Sequence, residues 1–309
     1  MSALTLVIMA AGLGSRYGGL KQLAPVGPNG ETILHYSVFD GLRSGFTKIV
    51  VILRPELVIP FRTGIGKWIE TQCELQIVTQ EVEDLPGGLI PPPSRQKPWG
   101  TAHAIWCCHD KVTEPFAVLN ADDFYGSSSF QSLANFLIEQ PTSSILYGLV
   151  GYRLANTLSA HGTVARAVCV VDRNQNLLSI EERTRIQKMN NGCAFTEDGV
   201  SWTDLSENTI VSMNMWGLTP TIFNYLENRI VEFLHEPQTD RKTEIFLPNV
   251  VGGLLLDKRV QVKVLPTQEQ WFGITYPDDL CLVTQMVANL HDNGVYPTKL
   301  VEGRIGTRI

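Results

Sequence analysis

Two hydrophobic periods alternate through the first half of the chain. LTLVIMA (4–10) is a short unbroken apolar run ended by glycine, the pattern of a strand buried on both faces. ETILHYSVFDGLRSGF (31–46) carries apolar residues at helical spacing, and KIVVIL (48–53) predicts a second strand. A helical pattern over 55–68 is weakened by Gly64 and Gly66. LQIVTQ (75–80) predicts a third strand, GTAHAIWCCHD (100–110) a helix, PFAVLNA (115–121) a fourth strand and SSSFQSLANFLIEQ (127–140) another helix. Strand alternating with helix predicts a parallel sheet covered on both faces, with its site at the carboxyl ends of the strands.

The second half is less regular. TVARAVCVVD and NLLSIEER predict paired strands around an RNQN turn, and MNNGCAFTEDGVSW is turn-rich. TIVSMNMWGL reads as a strand and TPTIFNYLENRIVEFLHE as a helix with a Thr–Pro start. EIFLPNVVGGLLL is a helical pattern broken by Pro248 and paired glycines. RVQVKVLP alternates as a strand, and YPDDLCLVTQMVANLHDN closes the chain as a helix. Between Gln80 and Gly100, EVEDLPGGLIPPPSRQKPW has five prolines and no periodicity, which predicts a long loop or lid. No linker or repeat divides the chain. The expectation is a single α/β domain over 1–309, a three-layer sandwich on a mostly parallel sheet, with halves at 1–150 and 151–309.

Composition narrows the function classes. A net charge of −6 over 309 residues argues against a general nucleic-acid binder, so any anion site is local. The six cysteines form no C-x-x-C pair and the six histidines no H-x-x-x-H spacing, which argues against a dedicated Cys/His metal site. The opening residues lack a basic leader, and no apolar run is long enough for a membrane span. The expectation is a cytoplasmic protein with no membrane partner; homo-oligomerisation is left open.

The candidate chemistry starts at AAGLGSRYGGLKQLAPVG (10–27), with five glycines and two cations, Arg16 and Lys21, directly after the first strand. Glycine lets backbone approach a bulky anion, and exposed N–H groups with positive side chains favour phosphate. A glycine-rich turn with surface cations is the plainer reading. The spacing fits neither a P-loop, since Leu20 stands at the lysine position, nor the dinucleotide fingerprint, since Tyr17 stands at its third glycine.

What remains, A-A-G-x-G-S-R-x(4)-K followed by LAPVG, resembles the signature of the sugar-1-phosphate nucleotidylyltransferases. The resemblance implies the nucleotidyltransferase-type, Rossmann-like fold. It also implies Mg2+-dependent transfer of a nucleotidyl group from an NTP to a sugar 1-phosphate, with release of pyrophosphate and formation of an NDP-sugar. Ala10, Ala11, Gly12, Gly14 and Ser15 would then wrap the triphosphate, with Arg16 and Lys21 catalytic. Gln80, Gly100 and Thr101 match the base-reading segment. In AVLNADDFYG, Asp122 matches the Mg2+ ligand, and Asp123 would reach the metal or the sugar. HGTVARAV, SIEERT and VSMNMWGLTP resemble the sugar-facing strands and carry Gly162, Glu182, Arg183 and Asn214 to the acceptor.

The chain departs from the family pattern at WFGITYPDD, where Gly273 stands in place of a second metal-binding Asp. This leaves Asp278, Asp279 or substrate phosphates to complete the site. Two alternatives stay open: a cytidylyltransferase acting on phosphocholine or another small phospho-alcohol, and a non-catalytic nucleotide-binding regulatory protein. Arg95 and Lys97 in the Pro-rich loop are further candidates for the triphosphate, set against a plain surface loop. His103 reads as structural.

Overall fold

The first half folds as β1 (Thr5–Met9), α1 (Ile33–Arg43), β2 (Lys48–Leu53), α2 (Pro55–Phe61), α3 (Lys67–Gln72), β3 (Glu74–Thr79), α4 (Thr101–Trp106), β4 (Phe116–Asn120), the two-residue β5 (Asp123–Phe124) and α5 (Ser127–Ile138). The second half adds β6 (Leu146–Arg153), β7 (Val164–Val171), β8 (Leu177–Met189), β9 (Gly192–Phe195), β10 (Thr203–Leu205), β11 (Ile210–Leu218), α6 (Thr221–His235), α7 (Leu247–Leu256), β12 (Gln261–Pro266), β13 (Phe272–Gly273) and α8 (Asp279–Asp292). These elements come from a computed structural model that describes residues 3–12, 24–93, 95–159, 162–189, 192–236, 243–274, 279–303 and 305–306.

β1 is buried at every position because a parallel strand lies on each side of it, with Thr5 level with Lys48 of β2 and Phe116 of β4. β3 extends this parallel set beyond β2. Alternate residues of β1 then face two helical layers. Val7 and Met9 pack with residues of α4, α6 and α7, and Leu6 and Ile8 with residues of α1, α2, α3 and α5. The expected α/β sandwich with a largely parallel central sheet is therefore what the chain forms. Its second half brings antiparallel pairs: β11 runs against β4, β6 and β7, and β7 to β10 continue as a meander.

β11 organises the site. β6 lines one side of it, while on the other side its start (Val211, Ser212) pairs with β7 and its end (Trp216–Leu218) with β4. The partner changes across a register shift between Ser212 and Trp216, and Asn214 within that shift adopts a left-handed backbone, φ 63°. A bulge of this kind re-aims side chains at a cleft. A third apolar cluster binds α8 to the body, with Tyr36 and Phe39 of α1 meeting Tyr296, Phe124 and Phe272.

Candidate active site

Three chain segments leave the carboxyl ends of the parallel strands still in step with their neighbours. Ala10 N–H donates to Ile52 O (2.9 Å), Gln80 N–H to Leu53 O (2.9 Å) and Ala121 N–H to Met9 O (3.0 Å). This places Ala10–Gly12, Gln80 and Asp122 along one edge of the sheet, where such folds bind ligands. A cavity of about 250 Å³ opens there, lined by Ala11, Gly12, Gln80, Lys97, Gly100 and Thr101.

Gly100 has φ 98°, and a Cβ on it would stand 2.6 Å from Ile245 O. The start of α4 is thus locked against 244–247: Ala102 N–H donates to Ile245 O (3.0 Å), and Leu247 N–H donates to Thr101 Oγ1 (2.9 Å). The Pro-rich loop is packed down rather than raised as a lid. Trp99 is buried and donates from Nε1 to Val82 O (2.9 Å), and Arg95 stacks 4.3 Å over Trp99 while donating to Lys97 O and Pro98 O. Lys97 forms an ion pair with Glu244 at the rim of the cavity.

The second cluster lies beyond β4. Asp122 follows the strand half-exposed, and Asp123 begins β5 and is buried. Asn120 donates from Nδ2 to Asp123 Oδ2 (2.8 Å), and the Tyr125 hydroxyl lies 3.3 Å from the same oxygen. The Tyr125 hydroxyl also donates to Met213 O (3.0 Å), tying β5 to the bulge that carries Asn214. Across from Asp123 sits Gly273 of β13, where an added Cβ would come within 2.5 Å of Asp123 Oδ1. The Asp123 carboxylate fills the space that a side chain at 273 would need.

Arg166 of β7 completes the cluster. It stacks 4.7 Å over Trp271, donates from Nε to Thr157 Oγ1 (3.2 Å) and interacts electrostatically with Asp123 and Glu182. Burial lowers its pKa to about 10, with the two carboxylates opposing that shift. Burial raises the pKa of Glu182, and the Arg166 charge pulls it back. The cavity and the Asp122–Asp123 pair, with Arg166 beside Asp123, thus lie along the same edge of the sheet.

A family model described as nucleotidyl transferase matches residues 5–286. The chain belongs to the nucleotidyl transferase family. No match was found among curated proteins. Among solved structures, a candidate glucose-1-phosphate thymidylyltransferase from Bacillus anthracis, in complex with sucrose, is similar with a TM-score of 0.65 at 14% identity, over 98% of this chain and 100% of that one. The inositol-1-phosphate CTP transferase from T. maritima gives 0.61 at 15%, over 98% of each chain. A UDP-glucose pyrophosphorylase complexed with UDP-glucose gives 0.61 at 13%, over 93% and 99%. At these identities the likeness is one of fold, and the fold is that of the nucleotidyl transferases.

In this nucleotidyl transferase the residues singled out from sequence fall into three groups. Ala10, Ala11, Gly12, Gln80, Gly100 and Thr101 lie at or beside the cavity; Asp122, Asp123 and Asn214 lie around the end of β4. Glu182 and Arg183 are neighbours on β8 and so point to opposite faces. Glu182 interacts electrostatically with Arg166, whereas Arg183 pairs with Glu181 and Glu197 and stacks 4.6 Å over Phe195. Gly162, with φ 113°, sits in the approach to β7. Gly14, Ser15, Arg16, Lys21 and Asp278 lie outside the described residues, and Asp279 opens α8. Arg166 was not singled out; its only signal was a lone arginine in the alternating run TVARAV.

Proposed function

We propose that this nucleotidyl transferase moves a nucleotidyl group from an NTP to a sugar 1-phosphate, forming an NDP-sugar and pyrophosphate. The observation that carries the reading is the pairing of the Gln80–Gly100 cavity with the Asp122–Asp123 carboxylates along one edge of the sheet. The base would occupy the cavity, the triphosphate would run along the glycine loop, and the acceptor would approach from the β7, β8 and β11 side.

Mg2+ fits the donors present. It takes one or two carboxylates plus substrate phosphates, and among the described residues no group of three or more His, Cys, Asp and Glu gathers into a dedicated cage. Asp122 and Asp123 would hold the ion, with the Asp123 carboxylate in the space opened by Gly273. When bound, Mg2+ supplies charge neutralisation at the phosphates.

The acceptor phosphate is an anion at neutral pH, so its oxygen attacks the α-phosphorus without a general base. The new P–O bond forms as the bond to the β-phosphate breaks, and the electron pair leaves with pyrophosphate. The enzyme's task is to bring two polyanions into line and stabilise the developing charge. Arg16 and Lys21 would do so at the triphosphate, and Arg166 contributes positive charge beside Asp123.

A small phospho-alcohol is a second acceptor reading. It is favoured by the engagement of Arg183 with Glu181 and Glu197, which takes one expected cation away from the acceptor side. The test is pyrophosphate release with Mg2+ for each of ATP, GTP, CTP, UTP and dTTP against sugar 1-phosphates and phosphocholine. Release with one NTP and one sugar phosphate, lost in Asp122→Asn, is the expected result. Release only with CTP and phosphocholine would select the second reading, and NTP binding without release across the panel would favour a non-catalytic binder.

A further inference from the structure

Two acceptors converge on the side-chain amide of Gln80. His103 of α4 is fully buried, and its Nε2 lies 2.5 Å from the main-chain carbonyl of Asp84. A carbonyl oxygen only accepts, so Nε2 carries the proton. Burial lowers the pKa of the ring and keeps it neutral. Nδ1 therefore holds a lone pair, since the hydrogen bond at one ring nitrogen sets the tautomer at the other. That lone pair lies 3.1 Å from Gln80 Nε2. The Gly100 carbonyl lies 3.1 Å from the same nitrogen. Both amide protons of Gln80 are thus engaged, and turning the amide over would set Oε1 against two acceptors. Oε1 accepts from none of the described residues, and Gln80 forms part of the cavity wall.

We propose that His103 is a positioning residue for base selection: it holds Gln80 with its amide oxygen toward the cavity, which therefore selects a base presenting a ring N–H. This inference rests on the reading of the cavity as the base site of the nucleotidyl transfer. Uracil, thymine and guanine carry a ring N–H between or beside carbonyl groups and donate to Oε1. Cytosine and adenine present a ring lone pair at that position, which opposes it. Sites built around such a hydrogen bond reject the base that cannot make it, because the buried polar group is left unpaired. An unmet acceptor of this kind corresponds to about a 10- to 100-fold loss in affinity.

The experiment measures equilibrium binding of the five NTPs by calorimetry, without acceptor, to the wild-type protein and to His103→Leu. Binding needs no turnover, so base preference is read whether or not pyrophosphate is ever released. The wild type is expected to bind at least one of UTP, dTTP or GTP at least ~10-fold more tightly than CTP and ATP. In His103→Leu one of the two acceptors that hold the amide is gone and only the Gly100 carbonyl still orients it, so that advantage is expected to shrink about threefold or more.

Equal or tighter binding of CTP or ATP by the wild type overturns the inference even if nucleotidyl transfer is confirmed. An unchanged preference in a folded His103→Leu removes the role of His103, and no binding by any of the five removes the site. Should His103→Leu fail to fold, nitrogen-15 NMR of the wild-type histidines decides the point. A neutral His103 protonated at Nε2 is expected, and an Nδ1–H tautomer or an imidazolium at neutral pH would overturn it.

Discussion

The space at Gly273 gives a quantitative test of how the carboxylate pair is built. An added methyl would meet Asp123 Oδ1 at 2.5 Å, Asp122 O at 3.1 Å and Trp271 Cζ2 at 3.1 Å. No left-handed backbone is involved, so Gly273→Ala acts through packing alone. Overpacking of this kind costs ~1–3 kcal/mol. If Asp123 turns aside to make room, it also gives up the 2.8 Å bond from Asn120, a charge-assisted bond worth ~1.5–3 kcal/mol. The expected loss is ~3 kcal/mol in urea unfolding followed by tryptophan fluorescence, with the midpoint shifted and the slope unchanged.

In an Asp123→Ala background the nearest obstacle is gone, and adding the methyl at 273 should cost only ~1 kcal/mol against the two contacts at 3.1 Å. The double-mutant cycle should then show a coupling of ~1–2 kcal/mol. Additivity within ~0.5 kcal/mol would mean that Asp123 does not occupy this space, and the argument for a displaced carboxylate would fail. A functional extension follows: Asp123→Ala with Gly273→Asp moves the carboxylate across the β5–β13 pair and should recover part of the pyrophosphate release lost in Asp123→Ala.

Three other outcomes are expected. Lys21→Ala should lower kcat far more than it weakens NTP binding, and equal losses in single-turnover and binding assays would contradict a transition-state role. Gly100→Ala should destabilise the protein by ~2 kcal/mol or more and weaken NTP binding, since φ is 98° and the new methyl would press on Ile245 O; unchanged urea midpoint and affinity would refute that packing. Asp40 is buried with Tyr296 donating to Oδ2 (2.6 Å), and burial raises its pKa to about 7 against the pull of Tyr296 and Arg43. Between the unfolded value near 3.8 and about 7 the folded state holds the extra proton, so this group's contribution to stability is lost as pH rises through that window. Buried His35, lowered to about 4, acts in the opposite direction, so the measurement is the difference between wild type and Asp40→Asn. That variant should gain stability relative to wild type from pH 5 to pH 8, and a constant difference would remove Asp40 as the cause.

Elements driven by a single hydrophobic period were legible in the sequence. KIVVIL is β2 residue for residue, and the helical reading of TIFNYLENRIVEFLH is α6. Others were hidden because tertiary contacts decide them. β6 went unread because Gly148 and Gly151 are poor strand residues. A side chain at either would press into Phe136, or into Val264 and Ile210, so packing demands the glycines. MNNGCAFTEDGVSW read as turns, yet it holds β9 and leads into β10, since short strands give too few alternations to register. Pro248 read as a break, but it lies at the second residue of α7, where a helix tolerates proline.

The same limit held at the site. Motif singled out Gln80, Gly100 and Asp122, which the fold brings to one edge of the sheet, but the stacking of Arg166 on Trp271 joins residues 105 positions apart and left no local trace.

The fork at β11 separates two kinds of change. Among the described residues the meander of β7 to β10 pairs with β11 through Val211–Val168 and Ser212–Ala167, while β4 and β1 hold the candidate site's edge through a ladder of their own. Changes in the meander can therefore leave the β1–β4 edge in register. For an engineer this is a seam with more than one joint: the short pairs to β11, the packing of Cys169, Leu177 and Ile180 on the α7 side of the core, and the bond from Val264 N–H to Gln175 O (2.8 Å).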